Sequence, residues 1–164
     1  FARYAAPFET VSVCFSKGLG APIGSMLLST KERIDDARIW RKRFGGGMRQ
    51  VGLLAAAADF ALTHHLGRLA EDHRHARAIA EAIAGIEPRL IDLDTVETNI
   101  VGIDLAQTGI SASDLARELA DQGLLSGALG SHYLRLVTHG DLSSNQIEAA
   151  ISILTRTIKS LLKH

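Results

Sequence analysis

The sequence predicts an α/β chain in which closely packed helices lie against sheet, and three observations carry that expectation. Alanine clusters in runs such as Ala55 to Ala58 and Ala76 to Ala84 while Phe, Trp and Tyr make up only 5% of the 164 residues, a composition suited to close helix packing. Residues 10–29 read as strand, turn, strand. From about residue 86 the pattern becomes strand, helix, two short strands and helix, a small α+β unit.

The first strand is placed at residues 10–16, where Val11, Val13 and Phe15 alternate with smaller residues. Gly18, Gly20 and Pro22 stop it, and the apolar run Ser25 to Ser29 supplies the second strand, leaving Lys17 at the apex. Lys31 to Arg43 reads as a helix ended by Gly45-Gly46-Gly47. The run Met48 to Thr63 is apolar over much of its circumference, as in a helix that needs cover from a larger assembly. His65 to Ala84 puts Leu66, Leu69, His73, Ala76, Ala80 and Ile83 on one face, with Glu71, Asp72, Arg74 and Arg77 off it, and Gly85 and Pro88 close the helix. Asn99 to Asp104 follows as a strand. Ser111 is expected to cap the next helix, to Gly123, with Asp114 in the capping-box position. Leu124 to Leu129 and Tyr133 to Thr138 are extended, and Ser143 with Gln146 forms a second capping box ahead of a helix carrying Ile147, Ile151, Leu154, Ile158 and Leu161.

Charge and cysteine usage exclude several functions. With 18 Lys+Arg against 18 Asp+Glu and a pI near 7.2, there is no basic stripe for nucleic acid. The single cysteine, Cys14, cannot form an internal disulfide, and no finger-like Cys/His spacing points to zinc. The longest apolar run, Val51 to Ala58, is far short of a membrane span.

Three places hold residues suited to chemistry. Lys17, at the end of an apolar strand and followed by Gly18 and Gly20, could approach a ligand closely as an amine nucleophile or Schiff-base former. A solvated turn lysine is the commoner explanation of such spacing. A dinucleotide fingerprint fails because Pro22 and a second strand follow the glycines, and a phosphate loop fails because Lys17 precedes them. The segment Arg41 to Arg49 crowds Arg41, Lys42, Arg43 and Arg49 around Gly45-Gly46-Gly47, a seat for a phosphate or carboxylate if the glycine N–H groups converge, and otherwise a solvated hinge. Arg135 lies mid-strand on the face of Tyr133 and Val137, where a buried cation would need an anionic partner and where an edge-strand arginine would instead reach solvent. The cluster His64, His65, His73 and His75 lacks the i, i+4 pairing of a zinc helix, and Cys14 reads as a small buried hydrophobe.

Taken together, Ser12 to Ser25, Arg41-Lys42 with Gly45 to Gln50, Leu69-Ala70-Glu71-Asp72-His73 and Arg135-Leu136-Val137-Thr138-His139 resemble the low-specificity L-threonine aldolases, members of the fold-type-I pyridoxal-phosphate enzymes. The resemblance implies the C-terminal part of a fold-type-I large domain (residues 1–64), a linking helix (65–85) and a small C-terminal α+β domain (86–164). It implies that Lys17 carries pyridoxal 5'-phosphate as a Schiff base, that Arg135 clamps the substrate α-carboxylate, and that Lys42 and Arg49 lie near the cofactor phosphate and substrate, donated across a dimer interface. The implied reaction is cleavage of threonine and related β-hydroxy amino acids to glycine and an aldehyde, in a cytoplasmic homodimer or homotetramer. The phosphate-binding loop, the cofactor-stacking histidine and the carboxylate facing the pyridine nitrogen belong to an N-terminal half that this sequence does not contain. Phe1 in place of an initiator Met agrees with a piece of a longer protein. Two other readings stand beside it: a β-eliminating lyase acting on aromatic amino acids, and a non-catalytic oligomerising α/β module.

Overall fold

The computed structural model describes residues 2–162, and the chain divides between Gly67 and Arg68 into two compact units.

The first unit opens with a short helix α1 (Ala2–Ala5) and an antiparallel ribbon of β1 (Val11–Cys14) and β2 (Ser25–Leu28), paired from Val11 opposite Leu28 to Cys14 opposite Ser25. Between the strands the chain forms a tight loop. Phe15 N–H donates to the Gly24 carbonyl at 2.9 Å, Ala21 N–H to the Phe15 carbonyl at 3.0 Å, and Gly20 N–H to the Lys17 carbonyl at 2.8 Å. Gly20 and Gly24 hold φ of 71° and 117°, values that an L side chain rarely adopts, so glycine is required at both. Phe15, Leu19 and Ala21 are buried beneath the loop.

Helix α2 (Lys31–Arg43) is capped by Thr30, whose hydroxyl accepts from Arg33 N–H at 3.4 Å, and it ends as expected. Helix α3 (Gly52–His64) starts four residues later than the apolar run suggested. Residues 45–51 are spent on turns, and Gln50 at φ 52° breaks helical geometry just before the helix begins. The absence of cover read from the sequence is visible: only Ala58 and Ala61 of α3 are buried, and Leu53 is 80% exposed.

The second unit holds the larger core. Helix α4 (Leu69–Ala84), strand β3 (Ile100–Asp104), helix α5 (Ala112–Ala120), strands β4 (Gly127–Ala128) and β5 (Tyr133–Val137) and helix α6 (Ser144–Leu161) follow in order. The sheet is antiparallel in the order β3-β5-β4. One face is apolar and buried, with Val101, Ile103, Leu134 and Leu136 packed among Ala76, Ile79 and Ile83 of α4, Leu115 and Leu119 of α5, and Leu154 and Ile158 of α6. The other carries Ile100, Gly102 and Asp104 from β3 and Tyr133, Arg135 and Val137 from β5, and is open.

Two expectations need correction here. Ser111 is the N-cap of α5, but its hydroxyl makes no capping bond; it lies 2.7 Å from the Ser113 hydroxyl, and Asp114 pairs instead with Arg117 at 2.6 Å. On α4, Asp72 is buried and His73 is exposed, the reverse of the assignment from periodicity. The face that α4 buries includes a polar end, which an apolar-only pattern misses.

Candidate active site

Lys17 stands at the apex of the β1–β2 loop, exposed to solvent, and makes no ion pair among the described residues. The loop is anchored by His65, the residue that follows α3, whose Nδ1 lies 2.7 Å from the Leu19 carbonyl, so this nitrogen carries the proton and donates. A side chain at Gly20 would also meet the His65 ring, at 3.5 Å. The backbone around the lysine is thus fixed while its side chain is free.

Cys14 is exposed at the end of β1, not buried as the strand pattern suggested. Its Sγ lies 3.3 Å from the Ser16 hydroxyl. Hydrogen bonding from Ser16, then from Ser25, holds its thiol below the ordinary range, with Lys17 adding a smaller electrostatic contribution.

Lys42 and Arg49 flank the glycine turn. Gly45 N–H donates to the Lys42 carbonyl at 3.1 Å, Gly46 N–H to the Arg41 carbonyl at 2.8 Å and Met48 N–H to the Gly46 carbonyl at 3.1 Å. These donors are engaged within the chain and do not converge on an anion. What the segment offers is side chains: the stem of Lys42 lies against Gly47, Lys42 and Arg49 are exposed, and Arg43 sits 4.9 Å from the Trp40 ring centre. Trp40 and Phe44 stack at 5.8 Å beside this basic group, and Phe44 is 82% exposed.

Arg135 differs from both sequence-level alternatives. It is on the central strand, not an edge, yet it is exposed, because its side chain rises from the open face of the sheet. The desolvation argument for an anionic partner therefore does not apply within this chain. Its directly opposite neighbours are Gly102 on β3 and Gly127 on β4.

The end of β5 is tied down by a buried polar set that periodicity concealed. Thr138 exchanges backbone contact with Asn99, its N–H donating to the Asn99 carbonyl at 2.9 Å and its own carbonyl accepting from the Asn99 amide at 2.8 Å. Its hydroxyl donates to the Asp72 carbonyl at 2.6 Å. Asp72, 1% exposed, accepts from Arg68 at 3.3 Å through Oδ1, while Oδ2 has no partner among the described residues. The Arg68 guanidinium lies so close over Gly140 that a Cβ there would collide with it. The run Leu69 to His73 flagged this region, but nothing in the spacing marked Asp72 as the buried member. Among the described residues no group of three or more His, Cys, Asp and Glu side chains is arranged to hold a metal ion.

A family model of the beta-eliminating lyases matches residues 1–108. The chain belongs to the beta-eliminating lyase family. Within that family it is 37% identical, over 93% of its length, to an Arabidopsis thaliana protein assigned as low-specificity L-threonine aldolase 2, of which it covers 43%. It is 38% identical over 85% of its length to the low specificity L-threonine aldolase of Escherichia coli K12, covering 40% of that protein. This family member thus spans less than half the length of the curated relatives it matches.

Solved structures give its fold. A Listeria monocytogenes protein assigned as an L-allo-threonine aldolase superposes with a TM-score of 0.71 at 20% identity, over 94% of this chain and 46% of that one. Serine palmitoyltransferase of Sphingomonas wittichii superposes with a TM-score of 0.75 at 18% identity, over 98% and 42%. The fold-type-I expectation is borne out for this beta-eliminating lyase family chain.

Proposed function

We propose that this chain supplies the lysine and the carboxylate-binding arginine of a pyridoxal-phosphate-dependent lyase that cleaves L-threonine, L-allo-threonine and related β-hydroxy amino acids to glycine and an aldehyde. The observation that carries the reading is Lys17, an exposed amine with no ion pair among the described residues, held on an anchored glycine loop. An aldehyde-bearing cofactor needs an accessible amine with little bulk around it, and this donor fits. The names of the relatives support the substrate class.

When bound, the cofactor supplies an electron sink for the pair left on Cα as the Cα–Cβ bond breaks. Lys17 would hold the cofactor through its ε-amine, which the glycine loop leaves accessible. Arg135 binds the α-carboxylate with its planar fork and fixes the rotation about Cα, a positioning contribution. Lys42 and Arg49, both exposed, would lie near the cofactor phosphate and the substrate, donated across a dimer interface. The apolar side chains beside them, Trp40 and Phe44, suit burial between subunits of a homodimer or homotetramer. No helix among the described residues is long and apolar enough to cross a membrane, and the reading places the enzyme in the cytoplasm.

Incubation with pyridoxal phosphate followed by borohydride is expected to leave a pyridoxyl group on the peptide containing Lys17, and the Lys17→Ala variant is expected to take up none. An adduct elsewhere, or threonine turnover retained in Lys17→Ala, rejects the assignment. The family description, beta-eliminating lyase, favours one second reading, β-elimination; acting on aromatic amino acids, such an enzyme predicts phenol or indole from those substrates and no acetaldehyde from threonine.

A further inference from the structure

The strand register leaves Arg135 with no side chain directly opposite it on either side. Gly102 and Gly127 are its two cross-strand partners, and Cβ atoms at such positions would stand about 4.5–5.5 Å away. The two glycines are not equivalent. A Cβ at Gly127 would meet nothing closer than the Arg135 carbonyl oxygen, at 3.8 Å, so that side is open. A Cβ at Gly102 would collide with the Tyr133 hydroxyl and come within 2.6 Å of its Cζ.

Tyr133 therefore leans from its own register position, opposite Asp104, across β3, so that its hydroxyl occupies the space above Gly102. That space is the one beside Arg135. The other charge on this face is Asp104, opposite Tyr133 at the strand end, where Oδ1 accepts from Ala106 N–H at 2.9 Å. Arg135 has no ion pair among the described residues. Ile100 and Val137, opposite each other, close the far side with apolar surface. Around Arg135 the face thus offers one cation and one phenol donor, with an open approach over Gly127 and the Asp104 carboxylate beyond Tyr133.

We propose that Tyr133 is a second ligand of the substrate carboxylate, its hydroxyl donating to one carboxylate oxygen while Arg135 holds the group by its fork, and that Gly102 is the positioning residue that seats the phenol. This rests on the reading that Arg135 takes the carboxylate of an amino acid. A planar carboxylate has lone pairs left over after a bidentate guanidinium contact, and a hydroxyl at the side can take one. The ring, 43% exposed, adds an apolar wall against the substrate's Cα side.

The test uses the cofactor-loaded enzyme with L-threonine, with glycine as a binding probe, and with threonine amide, which lacks the carboxylate. Tyr133→Phe keeps the ring and removes the donor; loss of one hydrogen bond to a charged group should raise KM for L-threonine and Kd for glycine about tenfold, with kcat within about twofold. The penalty should vanish for the amide. Gly102→Ala, which displaces the phenol, should reproduce the change and add little on top of Tyr133→Phe. If Arg135→Lys weakens glycine binding while Tyr133→Phe leaves Kd within twofold, or if the amide suffers equally, Tyr133 is not a carboxylate ligand. If Arg135→Lys itself leaves glycine binding unmoved, the carboxylate reading of the site fails instead. Should Gly102→Ala not fold, the comparison of Tyr133→Phe on acid and amide decides alone.

Discussion

At the scale of single residues, a two-pronged ionic contact lies away from the residues of the candidate site. Arg89 donates to Glu87 through Nε and Nη2, each at 2.9 Å, and through its backbone N–H at 3.2 Å. These bonds, the side-chain ones foremost, hold the Glu87 carboxyl down to about 2. The folded-state pKa is depressed, so the stabilisation is fully present above the ordinary carboxylate range and is lost as pH falls toward about 2. An NMR titration of the Glu87 carboxyl carbon should show this low midpoint, and Arg89→Ala should return it to the ordinary range. An unchanged midpoint in the variant would assign the shift to another cause. Residues differed in how far the sequence revealed them. Lys17 was legible because glycines and a strand end surround it in the linear chain. Tyr133 over Gly102 was not, because that contact depends on which strands pair and in what register. Asp72 was concealed by its charge: its carboxylate is buried beside Arg68, which lies four residues earlier and pairs with Oδ1.

At the scale of elements, two serine caps with similar sequence patterns behave differently. Ser143 accepts from Gln146 N–H at 3.4 Å while Gln146 accepts from Ser143 N–H at 2.9 Å, a closed reciprocal pair. Ser111 has no such bond: its hydroxyl lies 2.7 Å from the Ser113 hydroxyl, and the Asp114 side chain is held by Arg117. Ser143→Ala should therefore cost about 1 kcal/mol in denaturant unfolding, and Ser111→Ala distinctly less. Equal losses would contradict the capping geometry. The strands and helices of both units were readable from periodicity and turn residues to within a few positions. The late start of α3 was not, since a non-glycine residue at positive φ, Gln50, leaves no mark in composition.

At the scale of the whole molecule, the two units are built to different standards. The second buries an apolar sheet face under three helices, with Leu134 fully enclosed at its centre. Leu134→Ala should destabilise that unit by about 2–5 kcal/mol, read as a lower denaturant midpoint by circular dichroism. A shift within error would mean that the core closes readily around the gap. The first unit leaves large apolar side chains in solvent on α2, α3 and the ribbon, including Trp40, Leu53 and Leu27. Its fold is therefore specified more by its turns than by its core, which is why its glycines were the most informative letters in the sequence.

The ribbon itself carries a practical consequence. Among the described residues β1 and β2 form a sheet of two strands, so each has an outer edge of backbone N–H and C=O groups with no strand beside it. Neither strand contains a proline or a charged side chain, and Met26, Leu27 and Leu28 are exposed along one of them. Charges and prolines are what ordinarily guard such edges. Lacking them, the ribbon is a template onto which a further strand can be laid, and a lysine placed at Leu27 is the natural guard to install when the isolated chain must be kept in solution at high concentration.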